Sequence, residues 1–151
     1  MFKKILVPID FSAMSTEALR LAVSLVRDGG EVALLNVGVL PDPSLAGSAP
    51  NTSLMLEIAG RMAASRGAAL AALRGREVPP DVPSSVHLRD GKPEIEIIAA
   101  AEELGCDLVV LGTHGRRGLE HFVLGSVAER VARGSTVPVM VTRIGAPSGA
   151  V

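Results

Sequence analysis

Asp107-Leu108-Val109-Val110-Leu111-Gly112-Thr113-His114-Gly115-Arg116-Arg117-Gly118, continued through Leu119 to Leu124 into Gly125-Ser126, is the stretch on which the reading of the fold turns. It opens as an unbroken apolar run, the pattern of a strand buried on both faces. A glycine-rich loop follows, and then a helical segment from Ser126 to Arg133 that Gly134 closes. The glycines have two physical uses. Lacking a Cβ, they permit positive φ and let backbone N–H groups approach a bulky anion, while the start of the helix offers unpaired donors and a positive dipole end. A phosphate cradle and a purely structural turn use the same residues, so the glycine count alone leaves both open.

Working outward, the same strand–loop–helix rhythm recurs. Ile5-Leu6-Val7-Pro8-Ile9 is a short apolar run, with Pro8 suited to a strand end or an edge because it cannot donate to a ladder. Ser12 or Ser15 can cap the next segment, in which Glu17, Ala18, Leu19, Leu21, Ala22, Leu25 and Val26 repeat at helical spacing until Asp28-Gly29-Gly30 stops them. Glu31 to Val37 reads as a second buried strand. The prolines, glycines and serines of Gly38 to Pro50 preclude a regular element there, and a loop of that length is either a surface excursion or a lid.

A long alanine-rich helix is expected from Asn51 or Thr52 to about Arg74, weakened by Gly60 and Gly67, with Met14, Met55 and Met62 read as packing residues. Ser85 to Arg89 is a weaker strand, Glu94 to Leu104 an amphipathic helix, and Val137 to Thr142 a last strand whose Pro138 suits a sheet edge. Five strands separated by helices predict a single-domain α/β fold with an open parallel five-stranded sheet, doubly wound, with helices on both faces. Ligands in such sheets sit beyond the carboxyl ends of the strands where strand order reverses, so the loops after Ile9, Val37 and Gly112 are the places to look. The domain spans 1–144, and the polar stretch 145–151 reads as a flexible tail.

Composition excludes several classes. Fifteen basic against sixteen acidic residues leave a net charge of −1 without any long block of one sign, and three Phe with no Trp or Tyr provide almost no base-stacking platform. Nucleic-acid binding is not expected. Apolar stretches are too short and interrupted to span a bilayer, so no membrane partner is expected either. Cys106 is the single cysteine, which rules out an intramolecular disulfide and agrees with a cytoplasmic location. It precedes a buried strand and reads as a small core hydrophobe. His87 and His121 have no neighbours at metal-ligand spacing, and no protein-bound metal is expected.

The Walker A pattern is absent, and where a dinucleotide fingerprint should follow the first strand the chain has Asp10-Phe11-Ser12 instead of glycines. A different pattern is present. Gly112, two residues, Gly115, nine residues, Gly125 and Ser126 resemble the ATP-binding signature of universal stress proteins. Val7-Pro8-Ile9-Asp10-Phe11-Ser12 resembles that family's opening strand and loop, and Asp107 to Gly112 and Val137 to Val141 resemble its fourth and fifth strands. The resemblance implies a Rossmann-like fold of the adenine nucleotide alpha hydrolase type.

It also implies a site. Asp10 would accept hydrogen bonds from adenosine with Pro8 as part of the wall, and Val37 would meet adenine through its backbone. Gly112, Thr113, His114 and Gly115 would pass under ribose and phosphates, with Arg116, Arg117 and Gly118 beside them. Gly125, Ser126 and Val127 would hold the phosphate chain. Asn36 departs from the histidine many family members place before that valine, which matters little to a backbone contact.

From the residues alone, Asp10 also suits a helix cap, and Arg116 and Arg117 suit solvated loop positions. His114 has no identifiable carboxylate to orient it, so no catalytic residue is assigned. The implied function is an ATP-binding regulatory or stress-response module, with Mg2+ accompanying ATP and slow hydrolysis at most. Two alternatives stand beside it: a partner-binding homodimer, paired through Val137 to Thr142, whose nucleotide site is vestigial, and an adenylating enzyme.

Overall fold

In the computed structural model, which describes residues 1–39, 52–113 and 125–143, the apolar runs and helical segments alternate along the chain. Strand β1 (Phe2–Pro8) leads to helix α1 (Ala13–Leu25), then β2 (Val26–Gly38), α2 (Thr52–Glu77), β3 (Ser84–Asp90), α3 (Pro93–Glu103), β4 (Leu108–Thr113), α4 (Ser126–Gly134) and β5 (Val139–Arg143). The strands form one five-stranded sheet in the order β3-β2-β1-β4-β5, and every pairing is parallel. This is the doubly wound α/β arrangement expected from the sequence.

Alternation along the central strand separates two cores. Ile5 and Val7 join Leu34, Leu19, Ala22, Leu70 and Leu73 under α1 and α2. Leu6 faces the other way, with Leu35, Val109, Ile97, Ala101 and Val131 under α3 and α4. Cys106 belongs to this second core, and burial pushes its thiol up to about 11, so it behaves as a small apolar residue.

Both prolines sit where the ladder tolerates them. Pro8 is the last residue of β1, the middle strand of the sheet, and Pro138 directly precedes β5, an edge strand, using its carbonyl to accept the Val109 N–H at 3.0 Å. β3 forms the opposite edge.

Two expectations need correction. Val26 fits the helical spacing, yet its backbone is extended (φ −71°, ψ 138°) and it opens β2 opposite Phe2, so the strand starts before Glu31. The chain returns to register with β1 through Gly29, at φ 73°, and Gly30, where a Cβ would lie 2.8 Å from the Lys3 carbonyl. Burial of Val26 against the sheet outweighs its helical periodicity. The second correction is α2. It continues past Arg74 through Gly75, held at its end by Glu77, which pairs with Arg20 of α1 at 2.8 Å. Leu70 and Leu73 are buried in its second half, whereas Leu54, Leu56, Ile58, Met55 and Met62 in its first half are exposed and do not pack. The Gly38 to Pro50 loop beyond 39, and the tail 145–151, lie outside the described residues.

Asp107 fastens the entrance of β4 to β1. Its carboxylate accepts the backbone N–H groups of Lys3 at 2.8 Å and Lys4 at 3.0 Å, while its own N–H donates to the Lys4 carbonyl at 2.9 Å. Partial burial pushes the carboxyl up, but the backbone donors and the Lys3 charge outweigh it and hold the group below its ordinary range. A depressed carboxyl stabilises the fold above the unfolded-state value of about 3.9, and that contribution disappears as pH falls through the lower folded-state value. Asp107→Ala is expected to lower stability by about 1 kcal/mol at neutral pH, discounted for solvent exposure. In urea titrations the deficit should shrink below about pH 4; a deficit that persists unchanged into acid would assign it to packing instead.

Candidate functional site

Strand order reverses between β1 and β4: the chain winds outward from β1 through β2 to β3, then returns to place β4 on the other side of β1. Helix α1, which follows β1, and helix α4, which follows β4, pack on opposite faces of the sheet, and a crevice lies between them at the carboxyl ends of the strands. A cleft of about 320 Å³ lies there, within the volume range of small-molecule sites.

Its floor and walls come from separate elements. β1 and its loop supply Pro8, Ile9 and Asp10, β2 supplies Leu35 and Val37, and Val39 follows directly after it. β4 contributes Leu111, Gly112 and Thr113, and the start of α4 contributes Gly125, Ser126, Val127 and Ala128. Pro93 and Ile97 of α3 and Ser15 of α1 complete it. Pro8, Asp10, Val37, Gly112, Thr113, Gly125, Ser126 and Val127, singled out in the sequence from four separate stretches, thus meet in one cleft. His114, Gly115, Arg116, Arg117 and Gly118 lie outside the described residues.

The loop after β1 is locally over-determined. Ser12 is the N-cap of α1, its hydroxyl accepting the Ser15 N–H at 3.2 Å. Asp10 is not the cap: its Oδ1 accepts the Ser12 N–H at 2.9 Å, one step upstream, so the carboxylate stays in the cleft wall. Between them Phe11 takes φ 65°, the left-handed region that a bulky residue occupies at a cost of about 1 kcal/mol or more.

The cleft is chiefly aliphatic, with Asp10, Ser15, Thr113 and Ser126 as its polar side chains among the described residues. The hydroxyls of Ser15 and Thr113 are turned to protein carbonyls, Ser12 at 3.0 Å and Thr142 at 3.3 Å. Ser126, by contrast, is exposed. The N-cap of α4 is Gly125, which has no side chain to accept from the first turn. Gly125, Ser126 and Val127 at its head line the cleft, and the N-terminal end of a helix favours an anion.

Two of the glycines have different physical causes. A Cβ on Gly112 would run into the carbonyl of Met14, so this glycine is required for α1 to sit on β4 whatever the cleft holds. A Cβ on Gly125 would have no neighbour within 4 Å among the described residues, and its φ of −56° suits any residue. Among the described residues neither packing nor backbone explains Gly125, which lines the cleft.

Sequence reasoning noted Asn36 only as a departure of little consequence and gave neither Gly38 nor Arg66 a part in the site. Asn36 is 5% exposed, and its Nδ2 donates to the Ile9 carbonyl at 2.7 Å while its Oδ1 accepts from Arg66 at 2.9 Å. Arg66 also holds Asp90 at 2.7 Å, and a Cβ on Gly38 would collide with that guanidinium and carboxylate. The signal for Asn36 was present: a polar residue inside the otherwise apolar run Val32 to Val37 is an anomaly that burial must satisfy.

A model of the universal stress protein family matches residues 1–143. This chain belongs to the universal stress protein family. It is 34% identical over 147 residues to a universal stress protein of Methanocaldococcus jannaschii, covering 95% of this chain and 83% of the relative. It is also 34% identical over 148 residues to universal stress protein YxiE of Bacillus subtilis, covering 95% of this chain and all of the relative (100%). The solved structure of a second M. jannaschii universal stress protein matches with a TM-score of 0.75 at 28% identity, over 97% of this chain and 99% of that one. Two more distant structures share the fold at 18% and 16% identity, with TM-scores of 0.55 and 0.57, over 94% and 97% of this chain and 97% of each of those chains. One is a universal stress protein in complex with cAMP and the other an Arabidopsis thaliana family member with AMP bound.

The two glycines separate packing from ligand space by experiment. Gly112→Ala is expected to lower stability by about 1–3 kcal/mol, because backbone must move to admit the methyl group. Gly125→Ser is expected to leave stability level or raise it by a few tenths of a kcal/mol, since serine is a good N-cap. Thermal melts of the two variants read the difference directly; a destabilised Gly125→Ser would place Gly125 with the packing glycines.

Proposed function

We propose that this universal stress protein binds ATP in the β1/β4 cleft and acts as a nucleotide-dependent regulatory module of the stress response. One observation carries the reading: residues chosen from four stretches of sequence for an adenine nucleotide meet at the topological switch point. The residues fit the group in other respects too. Leu35, Val37, Val39 and Ile97 offer an aliphatic slot for adenine, Asp10 an acceptor for the nucleoside, and the start of α4 a set of donors for phosphate. Adenine nucleotides in the cAMP- and AMP-bound family structures belong to those proteins and support the class of ligand here.

When bound, ATP would supply a phosphoanhydride that could be retained as a signal or slowly hydrolysed. The chain's own part is to hold it. Val37 meets adenine through backbone groups, Gly112 and Thr113 lie beneath the ribose, and Gly125, Ser126 and Val127 bind phosphate oxygens. Mg2+ arrives with the nucleotide, held by phosphate oxygens; among the described residues no group of three His, Cys, Asp or Glu side chains is placed to bind a metal. The site lies in the cytoplasm, where ATP is available.

Melting the purified protein with Mg-ATP, AMP, GTP or NAD in separate samples tests this. A ligand at a hundredfold excess over its Kd adds about 2.7 kcal/mol, a rise of several degrees in a domain of this size. The expected result is a shift with ATP, absent with NAD, and lost in Gly125→Val, whose side chain enters the space left by the glycine. No shift with any adenine nucleotide would overturn the reading.

A specific observation favours a second feature, homodimerisation through β5. This strand is an edge of the sheet, and Val139, Met140 and Val141 are only half-buried. Because Pro138 uses its carbonyl toward Val109, backbone alternation turns the Val141 N–H away from β4, free to face another copy. Sedimentation should give a dimer at micromolar concentration and a monomer for Val141→Pro, which removes that donor and leaves the β4 ladder in place. A monomeric parent protein would sink the proposal.

A further inference from the structure

We infer that Asn36 and Arg66 are positioning residues for the nucleoside half of the cleft, setting Asp10 and Val37 from behind rather than touching ligand. This deepens the adenine-nucleotide reading and rests on it.

The Ile9 peptide is gripped from both sides by β2. Its N–H donates to the Leu35 carbonyl at 2.7 Å, and its carbonyl accepts from Asn36 Nδ2 at 2.7 Å. Ile9 comes after the last residue of β1, so without Asn36 the chain would leave the ladder one bond earlier, immediately before Asp10. Asn36 also directly precedes Val37. One buried side chain therefore fixes the spacing between the carboxylate and the backbone groups proposed to hold adenosine.

Arg66 fixes Asn36 in turn. A guanidinium can only donate and a carbonyl can only accept, so the Asn36 amide, placed between Arg66 and Ile9, has one orientation that satisfies both. Asp90 then anchors Arg66 by accepting from Nη2 at 2.7 Å, and glycine at 38 leaves room for the pair over the end of β2. The chain of contacts runs Asp90, Arg66, Asn36, Ile9, with Asp10 as the next residue. Neither Arg66 nor Asn36 lines the cleft, so any effect on ligand must pass through geometry.

Calorimetric Kd values for adenosine, AMP and ATP on the full chain test the assignment. Arg66→Met is expected to weaken all three by the same factor, about tenfold, because the nucleoside contacts common to them are displaced. Asp90→Asn should weaken all three less, and Arg66→Lys, whose ammonium can reach one partner but not both, should fall between Arg66→Met and the parent. The double variant Asn36→Ala/Arg66→Met should bind no more weakly than Asn36→Ala alone, since Arg66 acts through Asn36. If Asn36→Ala does not fold, the Arg66 and Asp90 variants decide the matter, their side chains being 22% and 52% exposed.

Unchanged Kd values in a natively folded Arg66→Met would overturn the inference while leaving the nucleotide reading intact. So would a loss confined to ATP, which would mean that Arg66 serves phosphate. A parent protein that binds none of the three ligands would overturn both.

Discussion

A parallel sheet covered on both faces leaves its strand ends as the place where backbone can be exposed without breaking a ladder or a core. That constraint governs this molecule. β1 lies in the middle of the sheet, buried in both cores through Ile5, Leu6 and Val7, and every later element is placed relative to it. Once β2 and β3 have filled one side, β4 takes the other, and the helices that follow β1 and β4 lie on opposite faces of the sheet. The crevice is a consequence of strand order, and its chemistry is then set by whatever the departing loops carry: a carboxylate and proline from one, glycines and the head of a helix from the other.

The two sides of that crevice are built differently. On the β1–β2 side the backbone is pinned by ladder bonds, the Asn36 amide and the turn at Asp10, and Phe11 is held in a left-handed conformation that such pinning sustains. On the α4 side a nine-residue helix rests on Ala128 and Val131, with an ion pair between Arg130 and Glu94 at 3.2 Å linking it to α3. An exposed pair of this kind contributes little energy. The β1–β2 wall is thus set by buried hydrogen bonds, whereas the α4 wall is set by a small apolar contact and by the direction of a helix axis.

Much of this was legible in the sequence because it depends on local signals. The β-branched runs at Ile5 to Ile9, Glu31 to Val37 and Asp107 to Gly112, the proline at 138 and the glycine spacing from 112 to 125 each name their own place in a doubly wound sheet. What was not legible depends on partners distant in sequence. Val26 carries a helical spacing and yields to a strand because Phe2 lies opposite it. Met55 and Met62 share the apolar character of Leu70 and Leu73, but whether a long helix overhangs its sheet is decided by where the sheet ends. Asn36 announced itself as a polar interruption, yet its partners Ile9 and Arg66 lie 27 and 30 residues away, and no spacing rule connects them.

Glycine shows the same divide at the level of single residues. Gly112 and Gly125 look alike in sequence, both members of one spaced signature. In the fold, Gly112 is bare because the Met14 carbonyl needs its space, and Gly125 is bare although among the described residues neither backbone nor packing asks for it. A signature of this sort therefore mixes positions that build the scaffold with positions that leave room for what the scaffold holds. The distinction bears on how such a site is lost: replacing Gly125 can close the α4 end of the cleft and keep the fold, whereas replacing Gly112 disturbs the seat of α1, the helix that follows Asp10, and so reaches the β1 end through the scaffold itself.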